Sequence, residues 1–550
     1  MKQSILLLMG LLVTLFVGCG GYGDDYSDVP IAEEVETPEI SDIPEIPQEV
    51  LLVEPAEYEL EAPAEVSSRR VVSVSAASNH TLALAEDGTL WAWGTEIWAW
   101  DGDGYQQHTL GIGDGTREIR NRPVQIMENV TFALAATHHS LAITNDGALW
   151  TWGNNYFGQL GDGTNEHRLS PVRAMEDVIF ATMLLTAPNS HTGISARTYA
   201  IQSDGSLWAW GDSGWGSSPF DVALGDGGTE NRNTPVRILE NAVSVAATDN
   251  GGYAVTNDGR LWGWHGEITI SHFDDETQEW SYDIIVAQRS PVPIMEDIAS
   301  LCPRGTHAIT TNGALWALER QGVGELLSYH AVSAAVNGEA RFVVYGCGTL
   351  WAQGRNRLPD HWRQGPLLGD GTTTDREIPV QICYYMGSVA SITSMGNATY
   401  AIATDGTLWA WGNNGGALGS GILGDGTIFS WDDIEEHMWD FHRTEVSWGE
   451  REDGVLWLLD DDGGTGVRLS PVKIMENVAS ITTAYFMFDH GWIRGFRTFA
   501  ITENGELWAW GENAVEWQTD HENQSWLGDG SWEMRLSPVR IILPKDTNMV

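Results

Sequence analysis

The phrase Asp-Gly-Thr-Leu-Trp-Ala-Trp-Gly at 405–412 returns with small changes at 87–94, 146–153 and 204–211. A unit that recurs at a fixed period cannot bury its own apolar faces and must stack on its copies. The tryptophan of each Leu-Trp pair falls at Trp91, Trp150, Trp208, Trp262, Trp316, Trp351, Trp409 and Trp508. Most intervals lie between 54 and 59 residues; one is 35 and one is 99. Trp457, in "EDGVLWLL", reads as a ninth, eroded copy inside the long interval.

A second phrase alternates with the first. Leu-Gly-Asp-Gly-Thr occurs at 160–164, 368–372 and 423–427, with variants at 112–116, 224–229 and 527–531. An Arg-x-x-Pro-Val-x-Ile-Met-Glu-Asn segment follows, as in "RNRPVQIMENV" and "RLSPVKIMENV". In "TYAIATDGTLWAWG" two alternating runs flank Asp405-Gly406. Asp-Gly favours a two-residue hairpin turn with positive φ at both positions. That turn pairs Ile402 with Trp409 and Tyr400 with Trp411, and makes one face large and the other small. A sheet apolar on both faces has to be covered on both. Radial stacking of identical sheets does this, and it predicts an all-β fold: a β-propeller of seven or eight four-stranded blades, preceded by a disordered acidic tether. Eight Leu-Trp units favour eight. The first copy, from Val71, lacks a Pro-Val-x-Ile strand, and the final "RLSPVRIIL" has no repeat after it. The C-terminal strand is therefore expected to complete the first blade and close the ring.

The two phrases, recurring in fixed order over roughly 70–543, resemble the regulator of chromosome condensation repeat family in its secreted bacterial form. The resemblance implies a propeller that serves as a protein-binding scaffold. Its best-known member is a nuclear exchange factor for a small GTPase, and that activity is not carried over to an acidic chain with an export signal. Secreted bacterial relatives bind and inhibit other proteins.

The start of the chain gives the export expectation. Lys2 precedes an apolar run, Ile5 to Gly18, that is short for a membrane span. It ends in Phe16-Val17-Gly18-Cys19, which resembles a bacterial lipobox. The expected domains are a lipoprotein signal peptide at 1–18, an acidic Pro-rich linker at 19–68 and the propeller at 69–550. Cys19 is the expected lipid attachment, which puts the body outside the cytoplasm on the cell membrane. Gly20 to Ser68 holds fifteen Asp or Glu and no Lys or Arg, a composition that cannot fold alone. Of the other cysteines, Cys302, Cys347 and Cys383, buried free thiols are the default reading, with a bridge between one pair left open.

A formal charge of −47 repels phosphate backbones, so a nucleic-acid partner is excluded and a basic protein partner is favoured. No catalytic set converges, and the chain is read as a binding protein and not an enzyme. His80 and His139 recur at one repeat position, but their equivalents Arg197, Gly251, Gly305, Ala398 and Arg497 argue for a loop-structuring role over a metal. "DGDG" at 101–104 is the best calcium phrase and lacks the spacing of a calcium loop. No cofactor or metal is expected. The irregularities are insertions after the Trp-Gly exits, at 95–110, 212–223, 265–288, 428–467 and 512–526. Strand alternation puts them on one rim, opposite the Asp-Gly turns. Their Trp98, Trp100, Trp280, Trp431, Trp439, Trp448, Trp517 and Trp526 are the candidate partner-binding residues, since aromatic anchors in a polar surround suit protein interfaces. The alternative use of these aromatics is glycan or cell-wall binding.

Overall fold

The structure is a computed structural model. It describes residues 68–544 apart from 78, 95–96, 101–104, 111, 138, 184–195, 214–222, 249–250, 267, 275–278, 286, 302–306, 320–321, 338–339, 357–367, 383, 396–397, 414–447, 451–454, 459–466, 489–492, 514–526 and 532. Cys19 and nearly all of the acidic segment lie outside the described residues.

Eight antiparallel four-stranded sheets follow one another along the chain and form a β-propeller. Blade one consists of Val71–Ala76, His80–Ala85, Leu90–Gly94 and Arg120–Met127, hydrogen-bonded in that order. Blades two to eight repeat the pattern over 130–175, 178–239, 242–295, 298–328, 331–381, 389–475 and 478–541. The first strands of neighbouring blades meet directly. Ala135 N donates to Ser75 Oγ at 2.9 Å and Thr482 Oγ1 to Val74 O at 3.3 Å, so the first strand is innermost. Trp457 does not begin a ninth blade: its strand, Val455–Leu458, belongs to a hairpin that widens the blade-seven sheet to six strands.

The Asp-Gly turn differs from the two-residue expectation. Ile402 pairs with Leu408 and Ala401 with Trp409, one residue out of the expected register. Gly406 N donates to Ala403 O and Ala403 N to Thr407 O, a longer loop in which only Gly406 has positive φ. Asp405 instead accepts from Thr407 N at 2.9 Å through Oδ1. An Asp side chain that bonds two residues on stabilises a turn without needing the left-handed region itself. The slip moves side chains between faces. Tyr400, Ile402, Leu408 and Ala410 face blade eight; Ala401 and Trp411 face blade six. The tryptophan side of each blade thus packs on the Leu/Ala side of the preceding one. Trp152 of blade two, for example, packs against Leu90 and Ala92 of blade one.

Every inner strand opens with a β-bulge, at Val71/Ser73, Val130/Phe132, Val178/Phe180, Ala242/Ser244, Ile298/Ser300, Ala331/Ser333, Val389/Ser391 and Val478/Ser480. Ring closure is also unlike the expectation. Arg535–Ile541 pairs with Leu507–Gly511 and completes blade eight, while blade one has its own fourth strand from 120 to 127. Closure comes from side-chain packing and a short clasp. Trp91, Trp93 and Val74 pack on Phe499, Ile501 and Ile541, with Trp93 edge-on to Phe499 at 6.0 Å. Ser68 bridges Pro544, Arg69 N donates to Leu543 O at 2.9 Å, and Val71 N donates to Gly505 O at 2.8 Å. The misreading arose from phase: the unit begins with the inner strand, so a final Pro-Val-x-Ile strand ends a blade and does not begin one.

Candidate functional site

The chain path gives the ring two unlike rims. Inner strands start at the rim of the Asp-Gly turns, and Trp-Gly ends exit at the other. The Asp-Gly rim is regular. The amide at each inner-strand start donates to the turn glycine of the preceding blade, as Val130 N does to Gly88 O at 2.9 Å and Val178 N to Gly147 O at 2.9 Å. The connecting turns use Asn129, Asp177, Asn241, Asp297, His330 and Asn477 with positive φ. Asn and Asp tolerate that region best among non-glycine residues. The hairpin turns carry Glu86, Asp87, Asp146, Asp204, Asp258, Asp405 and Glu503; the connecting turns carry Glu128, Glu176, Asp177, Glu240, Glu296, Asp297 and Glu476. Arg260 is the base within these hairpin turns and pairs with Asp258 and Glu296, while Arg173, Arg237 and Lys473 on the outer strands pair with Glu176, Glu240 and Glu476.

The opposite rim is irregular, as expected from the insertions. Two form separate hairpins, Ile97–Trp100 with Tyr105–Leu110 and Ile268–Asp274 with Glu279–Ile285. A third pairs Trp448–Glu450 with Val455–Leu458 and joins the start of the fourth strand of blade seven. Trp98 and Trp100 lie in the first hairpin, Trp280 in the second opposite Phe273, and Trp448 in the third. Trp431, Trp439, Trp517 and Trp526 lie outside the described residues, as does the phrase at 101–104.

Beneath this rim a polar layer joins blade to blade. His80 Nε2 meets Ser140 Oγ of blade two at 2.6 Å, and His139 Nε2 meets Thr198 Oγ1 of blade three at 3.1 Å. Arg197 donates to Thr248 O at 2.6 Å, and Arg497 donates to Ala77 O across the closure. These contacts give the repeat position the structuring role expected of it. Behind Arg497 lies Glu512, which follows the Trp-Gly exit of blade eight. Burial pushes its carboxyl up to about 8, against the pull of Arg497. The sequence reading missed this pair; its signal was an acid directly after Trp-Gly, repeated as Asp212 in blade three.

The Gly-Asp-Gly-Thr loops are fixed by two further devices. Asp162 binds Arg168 at 2.6 Å and accepts from Thr164 N at 3.0 Å; Asp114, Asp370 and Asp529 repeat the arrangement with Arg120, Arg376 and Arg535. Burial raises the Asp162 pKa, but the bonds from Thr164 and Arg168 outweigh it and hold the carboxyl below its usual range. Asn155, Asn356 and Asn513, two residues past the Gly exit, clamp the same loops: each accepts from the loop leucine N and donates to the loop Asp. The first loop glycine then lies under the next blade's tryptophan. A Cβ on Gly161 would come within 2.6 Å of Trp210 Nε1, which donates to Gln159 O at 2.9 Å. The same contact joins Gly113 to Trp152, Gly225 to Trp264, Gly369 to Trp411 and Gly528 to Trp93.

Among the described residues no group of three or more His, Cys, Asp or Glu is gathered to hold a metal, and no helix is long and apolar enough to cross a membrane. Ser213, two residues past the Trp-Gly exit of blade three, is buried, its N bonded to Asn231 Oδ1. Cys347 is neither buried nor bridged, contrary to the default reading; it stands exposed where five of the other blades have the turn Asp and two have Asn. Cys302 and Cys383 lie outside the described residues.

An eight-bladed propeller with this loop grammar is the class that the fold defines. Residues 71–96 and 146–179 match the regulator of chromosome condensation (RCC1) repeat. The E3 ubiquitin-protein ligase HERC2 of Homo sapiens is 29% identical over 211 residues, 36% of this chain but only 4% of that protein. The ultraviolet-B receptor UVR8 of Arabidopsis thaliana is 26% identical over 335 residues, 57% of this chain and 70% of the receptor. Among solved structures, Prp20p from Saccharomyces cerevisiae is similar at 15% identity with a TM-score of 0.45, covering 84% of this chain and 88% of Prp20p.

Proposed function

We propose that the protein is an exported, lipid-anchored propeller whose insertion rim captures a basic protein partner. The observation that supports this reading is the contrast between rims. One is a uniform set of short turns, while the three inserted hairpins at 97–110, 268–285 and 448–458 all leave the other. Insertions confined to one rim of a rigid scaffold are where such folds carry recognition. Trp98, Trp100, Trp280 and Trp448 stand in these hairpins, and tryptophans dominate interface energetics. The binding partners named for similar propellers, Gsp1p and histones for Prp20p, point to the same class of activity. The acidic charge of the whole chain would steer a basic partner and make association salt-dependent. Acylation of Cys19 would hold the propeller at the membrane, with the acidic segment as a spacer.

The test is recovery of a partner from a cell-envelope extract, followed by calorimetric titration. Replacing Trp98, Trp280 and Trp448 together with Ala is expected to weaken binding by about 2 kcal/mol or more and leave the melting temperature unchanged. Full affinity in the triple variant overturns the reading. Mass spectrometry of the mature N-terminus checks the anchor, which fails if Cys19 carries no lipid.

A further inference from the structure

The regular rim carries a feature that binding at the insertion rim does not use. In each blade the residue before the inner-strand bulge is buried between blades, as Val71, Val178, Ala242 and Ala331 are. On an unbroken strand the next side chain would point to the other face of the sheet, against the other neighbour, and be buried too. The bulge re-aims it. Val72 is 49% exposed, Ile179 42%, Val243 56% and Val332 56%, and the other four blades carry threonine or alanine there. Four of the eight large apolar side chains exposed among the described residues thus occupy one equivalent position. That position is on the innermost strand, so they encircle the mouth of the central axis.

Over most of its circumference the collar around this mouth is acidic. The connecting turns before Ile179 and Val243 hold Glu176-Asp177 and Glu240, and the turns on either side add Glu128, Asp146, Asp204, Asp258, Glu296 and Asp297. Val332 follows the uncharged Tyr329-His330, and Arg260, the base in these hairpin turns, is paired with Asp258 and Glu296. Arg69 and Arg70 enter beside Val72, but they are paired with Asp87 and Glu86. Apolar residues re-aimed into water beside an arc of carboxylates, which runs over blades one to four and is interrupted at blades five and six, are complementary to one chemistry: a large aliphatic side chain flanked by Lys or Arg. A second copy of this chain, equally acidic, is repelled.

We infer that the axial mouth on the Asp-Gly rim is a second docking site, for a polypeptide that inserts an apolar side chain between basic residues. The site is independent of the insertion rim, so either can fail alone. The full chain is titrated, by fluorescence anisotropy at physiological salt, with a short peptide of two central leucines flanked by lysines and with its serine-centred twin. The leucine peptide is expected to bind at least about tenfold tighter, the scale of burying one aliphatic side chain. Val243→Ser combined with Val332→Ser, both at exposed positions, is expected to abolish that difference. The triple Trp→Ala variant of the other rim is expected to keep it. Equal affinity of the two peptides for the unaltered protein overturns the inference, because charge alone then explains binding. So does a difference that survives the double serine variant. A dimer in sedimentation that the serine variant dissolves also overturns it, since a second copy would then be what covers the ring.

Discussion

Gly161 shows how narrowly a single residue is constrained. Its φ is +71° and the space a Cβ would occupy is held by the Trp210 indole. Gly161→Ala therefore meets both backbone strain and a clash, and is expected to cost about 3 kcal/mol, read from urea denaturation. Gly163→Ala, also at positive φ but with only Thr234 Cγ2 nearby at 3.8 Å, is expected to cost about 1 kcal/mol. Equal losses at the two positions would show that the tryptophan contact contributes nothing. At this scale the sequence was half legible. Asp405-Gly406 marks a turn, but its length was not readable, because Asp405 stabilises it through its side chain and not through positive φ. Asn155, Asn356 and Asn513 went unread since the loops they clamp are separated from them by variable stretches.

At the scale of the strand, the closure clasp separates two deletions. Truncation after Ile541 removes buried Leu543 and the bonds that Arg69 makes to Leu543 O and Pro544 O, while Val71 N→Gly505 O and the Trp93–Phe499 contact remain. The expected loss is about 3 kcal/mol, one aliphatic side chain plus its hydrogen bonds. Truncation before Arg535 strips the fourth strand from blade eight and leaves Leu507–Gly511 as an unpaired edge. That protein is expected to lose cooperative melting in calorimetry. Equal effects of the two truncations would refute the division between clasp and strand. Strand identity was legible because Leu-Trp-Ala-Trp-Gly and Pro-Val-x-Ile alternate in period two. The bulges were not, since a bulge adds a residue without a composition of its own: Val71-Val72 and Ala242-Val243 look like ordinary strand.

Across the whole ring, blade five is the exception. Leu318 and Gln353 replace the second tryptophan in blades five and six, so the glycine–tryptophan contact is missing on both sides of Ile298–Leu301 and its partner strands. His307 of blade five is buried, and burial, with the nearby positive Arg341 of blade six, lowers its pKa from 6.5 to about 4. A histidine lowered in this way binds fewer protons folded than unfolded. Its contribution is therefore intact above about pH 6.5 and is lost as the pH falls toward 4. Hydrogen exchange is expected to find amides of 298–328 about tenfold less protected than those of blades two and three, with the gap widening on acidification and His307→Gln removing the widening. Uniform protection around the ring would refute it. The uneven spacing of Trp316 and Trp351 announced this region in the sequence, though only the three-dimensional pairing shows that it still makes a complete blade. Among the described residues the other glycine–tryptophan contacts run one way, from a loop to the blade made after it, so during synthesis each finished loop waits for the tryptophan that follows. Trp93 must instead wait for Gly528, more than four hundred residues later. Its indole stays without that cover until translation of the propeller is nearly over, which makes the first blade's tryptophan an optical timer for completion of the ring.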